Sequence, residues 1–541
     1  IKNFLEACHG NSINFYIFLL AIISFTISTY KMVIFKKEMS SKPSSQKTIL
    51  SEAFLSFSGM TLGSVFRYIF SIVMARFLGA QMLGIYSLGN AVTRIAEIFA
   101  LMGLDNGVLR FVSRDTENTL NVNSSIYSSL KAGLLSSIVI SIILFFSAEL
   151  IVNDLLKEDK FLITVIKVFS LSLPFTVLTL ISSFATQAFK ILKYKIFVNQ
   201  IVNPLTLLIA FLASFYILGT QLSILIPTVT SAIIGLIFIL KFLRNFTKIS
   251  FNNLIKSDIN KEILKFSIPL MFVSAIGIIM HWVDIVMLGI LSNATDVGMY
   301  HPIDRTAGLV RMILFAFAGI FAPIFSEHYF NKNILGMQES YQSSSKYILM
   351  FSLPVFIFLF IFANPMLLLF GSEFQNAIAL KILLTGIFVQ TIFGLGSSTL
   401  SMSGNTAFNL INVSIALILN IVLNFILIPQ YGIIGAALST AIALFILSIL
   451  RFIENILIMN LNLFSFKLIK PLISGLMTFL IFVYLKNVFS NLFSLDNIFS
   501  LAIYLLAHFI FVSSTYFTIY FLLGFDKEDK ELINSFKKKL I

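Results

Sequence analysis

Fifteen apolar stretches, separated by short polar connections, decide what this chain can fold into. A run of about twenty apolar residues spans the hydrocarbon core of a bilayer as an α-helix, and many such runs in succession require a polytopic membrane protein. The first run covers 14–35. Fourteen more follow, roughly at 50–78, 84–104, 126–152, 161–184, 196–218, 221–240, 263–291, 299–324, 347–370, 376–402, 407–428, 432–456, 468–486 and 497–523. Only 12% of the residues are charged, about half of what a soluble domain carries. The fold class expected is therefore all-α.

The net charge of +13 does not mark a nucleic-acid binder, because the basic residues are dispersed between apolar runs and build no basic domain. They mark topology instead. Twenty-three of the 38 Lys and Arg residues fall in alternate connections (36–47, 105–124, 190–195, 241–262, 327–346, 403–406, 457–470 and 524–541, of which 403–406 holds none), whereas the connections between these hold Lys2, Lys157, Lys160 and Lys486. The positive-inside rule places the basic set in the cytoplasm. The run at 14–35 is followed by Lys36, Lys37, Lys42 and Lys47 and lacks a small-residue cleavage site, so it reads as an accessory anchor rather than a signal peptide. Cys8 is the lone cysteine, which excludes an internal disulfide and a cysteine metal site.

The connections divide the chain into an accessory helix and basic linker (1–49), a six-helix lobe (50–241), a cytoplasmic linker (242–261), a second six-helix lobe (262–456) and a C-terminal helix pair with a basic tail (457–541). An internal repeat supports the two lobes. Ile72-Val73-Met74 and Gly84-Ile85-Tyr86 recur as Ile285-Val286-Met287 and Gly298-Met299-Tyr300, at offsets of 213 and 214, and Ser182-Ser183 recurs as Ser397-Ser398 at 215. Six spans per lobe is an even number, so both lobes enter the membrane in the same sense and are related by an axis along its normal. A turn is expected at Met82–Tyr86, and Gly59 and Gly63 form a GxxxG suited to close helix packing.

Charge within the spans is the functional signal, since an ionisable side chain at the centre of a membrane helix costs at least roughly 2.5–3.5 kcal/mol and normally faces a cavity or a partner. Arg67 lies near the middle of the first core span. Arg94 and Glu97 lie on the second, Asp284 on the seventh, and Asp304, Arg305 and Arg311 on the eighth. The repeat offset sets Asp284 on a face that would look toward Arg67 across the lobes, and brings Arg94 and Arg305 to comparable depth. Arginine suits a pyrophosphate, because its planar fork stays charged and binds two oxygens at once. Arg67, Arg94, Arg305 and Arg311 are therefore the substrate-binding candidates. Glu97, His281, Asp284 and Asp304 are candidates for ion coupling or for internal ion pairs; His281 stands three residues before Asp284. Arg110 and Arg114, at the cytoplasmic end of the second span, are candidates for a gate or for topology-setting charge.

No GxxxxGK[ST], HExxH or GxSxG motif is present, and the outer connections are too short for a catalytic domain. Neither an enzyme nor a cofactor is expected.

Two stretches carry a family resemblance. Ala75-Arg76-Phe77-Leu78-Gly79, Gly84-Ile85-Tyr86 and Gly103-Leu104-Asp105 with Arg110-Phe111, and later Asn420, Asn424 and Ile428-Pro429-Gln430-Tyr431-Gly432-Ile433-Ile434-Gly435-Ala436-Ala437, resemble the oligosaccharide flippases of the multidrug/oligosaccharidyl-lipid/polysaccharide exporter superfamily. Arg94 and Tyr300-His301-Pro302-Ile303-Asp304-Arg305 are similar to a second-helix arginine and an eighth-helix pattern of the related peptidoglycan-precursor flippases; the accessory helix and a first helix less rich in arginine depart from that group. The resemblance implies two six-helix lobes working by alternating access in the cell membrane on a lipid-linked oligosaccharide. Coupling to H+ or Na+ and contacts with membrane lipids and with other polysaccharide-assembly membrane proteins are expected as well, and the dispersed basic residues leave no nucleic-acid partner expected. Efflux of drugs or small molecules on the same fold is the alternative expectation; a membrane polysaccharide polymerase or ligase is the other.

Overall fold

The structure is a computed structural model that describes residues 45–115, 118–247, 251–489, 497–524, 526 and 529. The apolar run at 14–35, Cys8 and most of the basic tail lie outside the described residues. The chain divides into two compact units, Ile1–Leu55 and Ser56–Ile541, and the second unit holds the bundle of spans.

Long apolar segments satisfy their backbone groups internally as helices, which is the form a lipid environment demands of a single span. Twelve helices are long and apolar enough to cross a membrane, and a pair bent by 41° (Lys160–Ser170 with Leu173–Ala188) makes a thirteenth. The longest continuous element, Ser45–Leu101, is itself two helices, because Gly79 at φ 76°, ψ 177° interrupts it. Only glycine adopts that backbone conformation without strain. The chain reverses there: the rings of Phe70 and Tyr86 lie 5.8 Å apart, whereas sixteen residues of straight helix would separate them by about 24 Å. Fourteen spans result among the described residues, the number expected.

The turn itself lies earlier than expected. It sits at Gly79 rather than within Met82–Tyr86, and the second helix starts at Ala80, whose N–H donates to Glu373 Oε1 at 3.0 Å. Gly84 instead lets two backbones touch.

The spans are α1 (58–78), α2 (80–101, followed by the short helix Leu104–Arg114), α3 (Thr119–Leu156), α4 (the bent pair), α5 (Lys193–Leu218), α6 (Thr220–Leu243), α7 (Lys261–Leu291), α8 (Ala294–Phe330), α9 (Ile334–Ile361), α10 (Ala377–Met402), α11 (Thr406–Tyr431), α12 (Ile433–Met459), α13 (Phe466–Leu485) and α14 (Ile498–Leu522). Helices α3–α6 pack together in the first half. In the second half α8 packs on α9 and α10, α7 on α11, and α12 on α10 and α11; α13 and α14 pack on each other and on α9.

The repeat is visible as a physical contact. A Cβ placed on Gly84 would lie 1.6 Å from the Ala294 carbonyl oxygen, and one on Gly298 would lie 1.8 Å from the Ala80 carbonyl oxygen. Residues 80 and 84 are related to 294 and 298 by the same offset of 214, so equivalent positions touch reciprocally, as at any twofold-related contact. These glycines join the bundles backbone to backbone.

Candidate functional site

The charged residues singled out from sequence lie on α1, α2, α7 and α8, the helices that line the boundary between the two halves. On α1, Arg67 Nη2 donates to Gln200 Oε1 of α5 at 2.9 Å and approaches Ser64 Oγ at 3.4 Å. Its charge is felt by, and feels, those of Arg305 and Arg94. Arg67 of α1 thus lies within electrostatic range of guanidiniums carried by α2 and α8. Arg94 pairs with Glu97 one turn away at 2.7 Å, yet its side chain keeps 48% of its surface accessible while Glu97 keeps 11%. The internal pairing weighed for Arg94 is therefore present, and it leaves about half of the side chain accessible.

On α8, Asp304 is half-buried and lies within the fields of His281, Arg305, Arg311 and His301. Arg311 buries its Nε without a hydrogen-bond partner. His281 lies within the fields of Asp304, Arg305 and Arg311 of this α8 set, and its ring lies against Trp282 at 5.3 Å. Four guanidiniums face two carboxylates here, which makes the boundary net cationic.

Asp284 corrects the sequence expectation. It does not look across to Arg67. Its carboxylate accepts from Tyr300 Oη at 2.9 Å, Asn424 Nδ2 at 3.0 Å and Asn420 Nδ2 at 3.2 Å, and from the Thr440 hydroxyl. The reason is azimuth: α7 packs on α11 inside its own half, so the face carrying Asp284 meets α11 and α12. A buried carboxylate requires such satisfaction of its lone pairs. Asn424 Oδ1 stays buried without a partner beside it. One carboxylate with two amides and two hydroxyls is a set of hard oxygen donors once the amides turn, a rotation that exchanges NH2 for C=O without moving the backbone. Such a set fits a proton or a monovalent cation. Among the described residues no group of three or more His, Cys, Asp or Glu could hold a metal ion.

Sequence reasoning did not single out the residues that close the boundary at the Gly79 end. His301 is buried between Ser71 and Ser87, with Nε2 3.2 Å from Ser71 Oγ and Nδ1 3.0 Å from Ser87 Oγ. Tyr68 Oη meets Thr306 Oγ1 at 3.0 Å. Arg76 donates to the carbonyls of Leu369 and Leu368 at 2.7 and 2.8 Å. The signal for His301 was its place within Tyr300–Arg305 and that for Arg76 its place within Ala75–Gly79; Glu373 carried none. Farther along α8, Gly308 and Gly319 face open space and Phe315, Ile320 and Ile324 are exposed.

At the opposite end, Arg110 lies over the Phe266 ring at 4.2 Å, and Arg114 pairs with Asp115 at 3.1 Å and reaches Glu262 of α7 at 3.5 Å. Both arginines thus contact the first turns of α7 from the far end of α2.

A family model described as "Polysaccharide biosynthesis protein" matches residues 49–329, more than half of the chain. The chain belongs to that family. A second model, MatE, matches 269–426. Among curated proteins, the chain is 27% identical over 390 residues to the "Probable low-salt glycan biosynthesis flippase Agl15" of Haloferax volcanii, covering 70% of this chain and 77% of that protein. It is 25% identical over 391 residues to an uncharacterized membrane protein, MJ1375, of Methanocaldococcus jannaschii, covering 69% and 90%. Among solved structures, the lipid II flippase MurJ in an inward closed conformation aligns with a TM-score of 0.66 at 18% identity, covering 86% of this chain and 98% of that one. An inward-facing multidrug resistance MATE family transporter aligns at 0.63 and 15%, covering 75% and 98%. The family match and these likenesses uphold the superfamily resemblance read from the sequence. This member is a multi-pass membrane protein with the fold of that transporter superfamily.

Proposed function

We propose that the protein is a flippase that carries a polyprenyl-pyrophosphate-linked oligosaccharide from the inner to the outer leaflet by alternating access, for surface polysaccharide or glycan assembly. The observation that carries this reading is the place of Arg67 within the fields of both Arg94 and Arg305, three arginines from three helices at the boundary between the halves. A guanidinium held in the repulsive fields of two others attracts a polyanion, and a pyrophosphate supplies two adjacent phosphoryl groups for bidentate contacts. A low-dielectric cleft strengthens that attraction. Arg311 extends the cationic lining, and Asp304 and Glu97 hold the arginines when substrate is absent. The family, the glycan flippase relative and the likeness to a lipid II flippase support the same substrate class. A cation-efflux site on the MATE-like fold would want a net acidic lining, whereas this boundary carries more guanidiniums than carboxylates.

In this reading the two halves rock against each other. The Gly84–Gly298 contact and His301 seal the outward end, Arg110 and Arg114 gate the cytoplasmic end against α7, and the α13–α14 pair extends an apolar groove for the lipid tail. The Asp284 set binds the coupling proton or sodium ion, and His281 adjoins the headgroup instead.

The test is leaflet translocation of a lipid-pyrophosphate oligosaccharide in proteoliposomes, for wild type, Arg94→Ala and Arg305→Ala at matched folded protein. Transport by wild type and its loss in both variants supports the reading. Equal transport by all three removes the arginines from it, and export of small cations without lipid movement replaces it with efflux.

A further inference from the structure

We infer that Gln200 is the positioning residue of this headgroup site: it holds the Arg67 guanidinium in place without neutralising it. The inference rests on the pyrophosphate reading and deepens it.

The geometry begins in the backbone. Helix α5 starts as a regular turn at Lys193–Ile196, widens into a π-helical segment at Phe197–Val202, and resumes as an α-helix at Asn203–Leu218. Such bulges inside α-helices re-aim side chains and recur at functional sites. Within this one, two successive polar residues point in different directions. Asn199 Nδ2 donates to Ser183 Oγ of α4 at 3.1 Å, which ties the bulge down, while Gln200 Oε1 accepts from Arg67 Nη2 at 2.9 Å.

The GxxxG of α1 makes this approach feasible. A Cβ on Gly59 would strike the Ile196 side chain, and one on Gly63 would strike both the amide oxygen and the backbone carbonyl of Gln200. The two glycines therefore receive Ile196 and Gln200 in turn, and Arg67 stands one helical turn beyond Gly63, on the same face.

The chemistry explains why the residue is an amide. Arg67 lies in the fields of Arg94 and Arg305, which repel it. A carboxylate at position 200 would relieve that repulsion by forming an ion pair and would consume the charge the substrate needs. An apolar residue would leave the guanidinium unheld in a partly buried place. A neutral acceptor fixes one N–H, leaves the formal charge intact and leaves the other donors free for phosphate oxygens. Arg94 differs in this respect, because Glu97 already shares its charge.

The experiment measures the affinity of the protein in detergent for a polyprenyl pyrophosphate without sugar, with polyprenol as comparison. Wild type, Arg67→Ala, Gln200→Ala, Gln200→Glu and the double variant Arg67→Ala/Gln200→Ala are compared at matched thermal unfolding profiles. Arg67→Ala and both Gln200 variants bind at least roughly tenfold more weakly. In the Arg67→Ala background Gln200→Ala weakens binding no further, because the group it positions is already gone. A further drop in that background as large as the drop in wild type shows a merely structural role and overturns the inference. So do Gln200 variants that bind like wild type while Arg67→Ala is weakened, and that result leaves the pyrophosphate reading standing. If Arg67→Ala binds like wild type, or wild type prefers polyprenol, the reading itself falls and the inference with it.

Discussion

His301 and Ser87 occupy equivalent positions of the two repeats and are hydrogen-bonded to each other, Nδ1 to Oγ at 3.0 Å. The other ring nitrogen reaches Ser71 at 3.2 Å, so a side chain of α8 is gripped by α1 and α2 together. Each serine also lies within bonding distance of the carbonyl four residues back, Arg67 for Ser71 and Leu83 for Ser87. A neutral imidazole donates from one nitrogen and accepts at the other, so one serine turns its hydrogen to the ring and the other to its own helix. The contact is complete only while the halves are together at this end.

Removing the ring should therefore loosen that end. In His301→Ala, spin labels at Leu218 and Gln375 in a Cys8→Ser background are expected to show a larger population of long distances than in wild type. An unchanged distribution would assign the closure to other contacts.

The glycine contact makes a sharper demand. In Gly84→Ala or Gly298→Ala the new methyl overlaps the opposing backbone carbonyl, which cannot move as a side-chain tip can. Overpacking of this kind costs typically about 1–3 kcal/mol, enough to shift a two-state balance by roughly 5- to 150-fold. The same label pair should report an opened end in either variant, with translocation falling in parallel.

How much of this was legible beforehand depended on the kind of information each feature needs. The spans were legible because a long apolar run carries its own meaning, and the repeat because Gly84-Ile85-Tyr86 and Gly298-Met299-Tyr300 share a spacing. The reversal at Gly79 was missed because Gly84 is an equally plausible turn residue; only the backbone shows that Gly79 takes the positive φ and Gly84 the close approach. That Arg67 and Asp284 needed partners was also legible, but not which ones. An error of one residue in register rotates a helix by about 100°, and Asp284 accordingly faces Asn420 and Asn424 instead of the other half. Lys346 looked like topology-setting charge and is wholly buried.

The Asp284 set yields a prediction about coupling. Asp284→Asn keeps the shape and most hydrogen-bonding capacity but removes the charge that would hold a cation or proton. The variant is expected to bind polyprenyl pyrophosphate like wild type and to lose stimulation of translocation by an imposed sodium or proton gradient. Retained stimulation would place the coupling group elsewhere.

Lys346 supports a prediction about the C-terminal pair. Its ammonium is bonded to Asp529 at 2.9 Å and to Asp526 at 2.7 Å, and Asp529 also accepts from Lys470 at 2.9 Å and Tyr520 at 3.2 Å, so α9, α13 and α14 meet at one carboxylate. Asp529 lies beyond the last span. Burial alone would raise its carboxyl pKa, but the hydrogen bonds from Lys346 and Lys470 outweigh that and hold it below the usual carboxylate range. A depressed folded pKa contributes stability above the unfolded value of about 3.9 and loses it as pH falls through the folded value. Asp529→Ala should destabilise the protein by up to about 3 kcal/mol at pH 7, because it strips a buried lysine of a partner. Thermal unfolding across pH should show wild type and variant converging below about pH 4.

The central claim is that a pyrophosphate is held by arginines from both halves, and its most direct test is a structure of the protein with a polyprenyl pyrophosphate bound. The account predicts the diphosphate between Arg67, Arg94 and Arg305, with phosphate oxygens about 2.7–2.9 Å from guanidinium nitrogens on α1, α2 and α8. A lipid bound outside the two bundles, with Arg94 still on Glu97 and Arg67 still on Gln200 and Ser64, would contradict it.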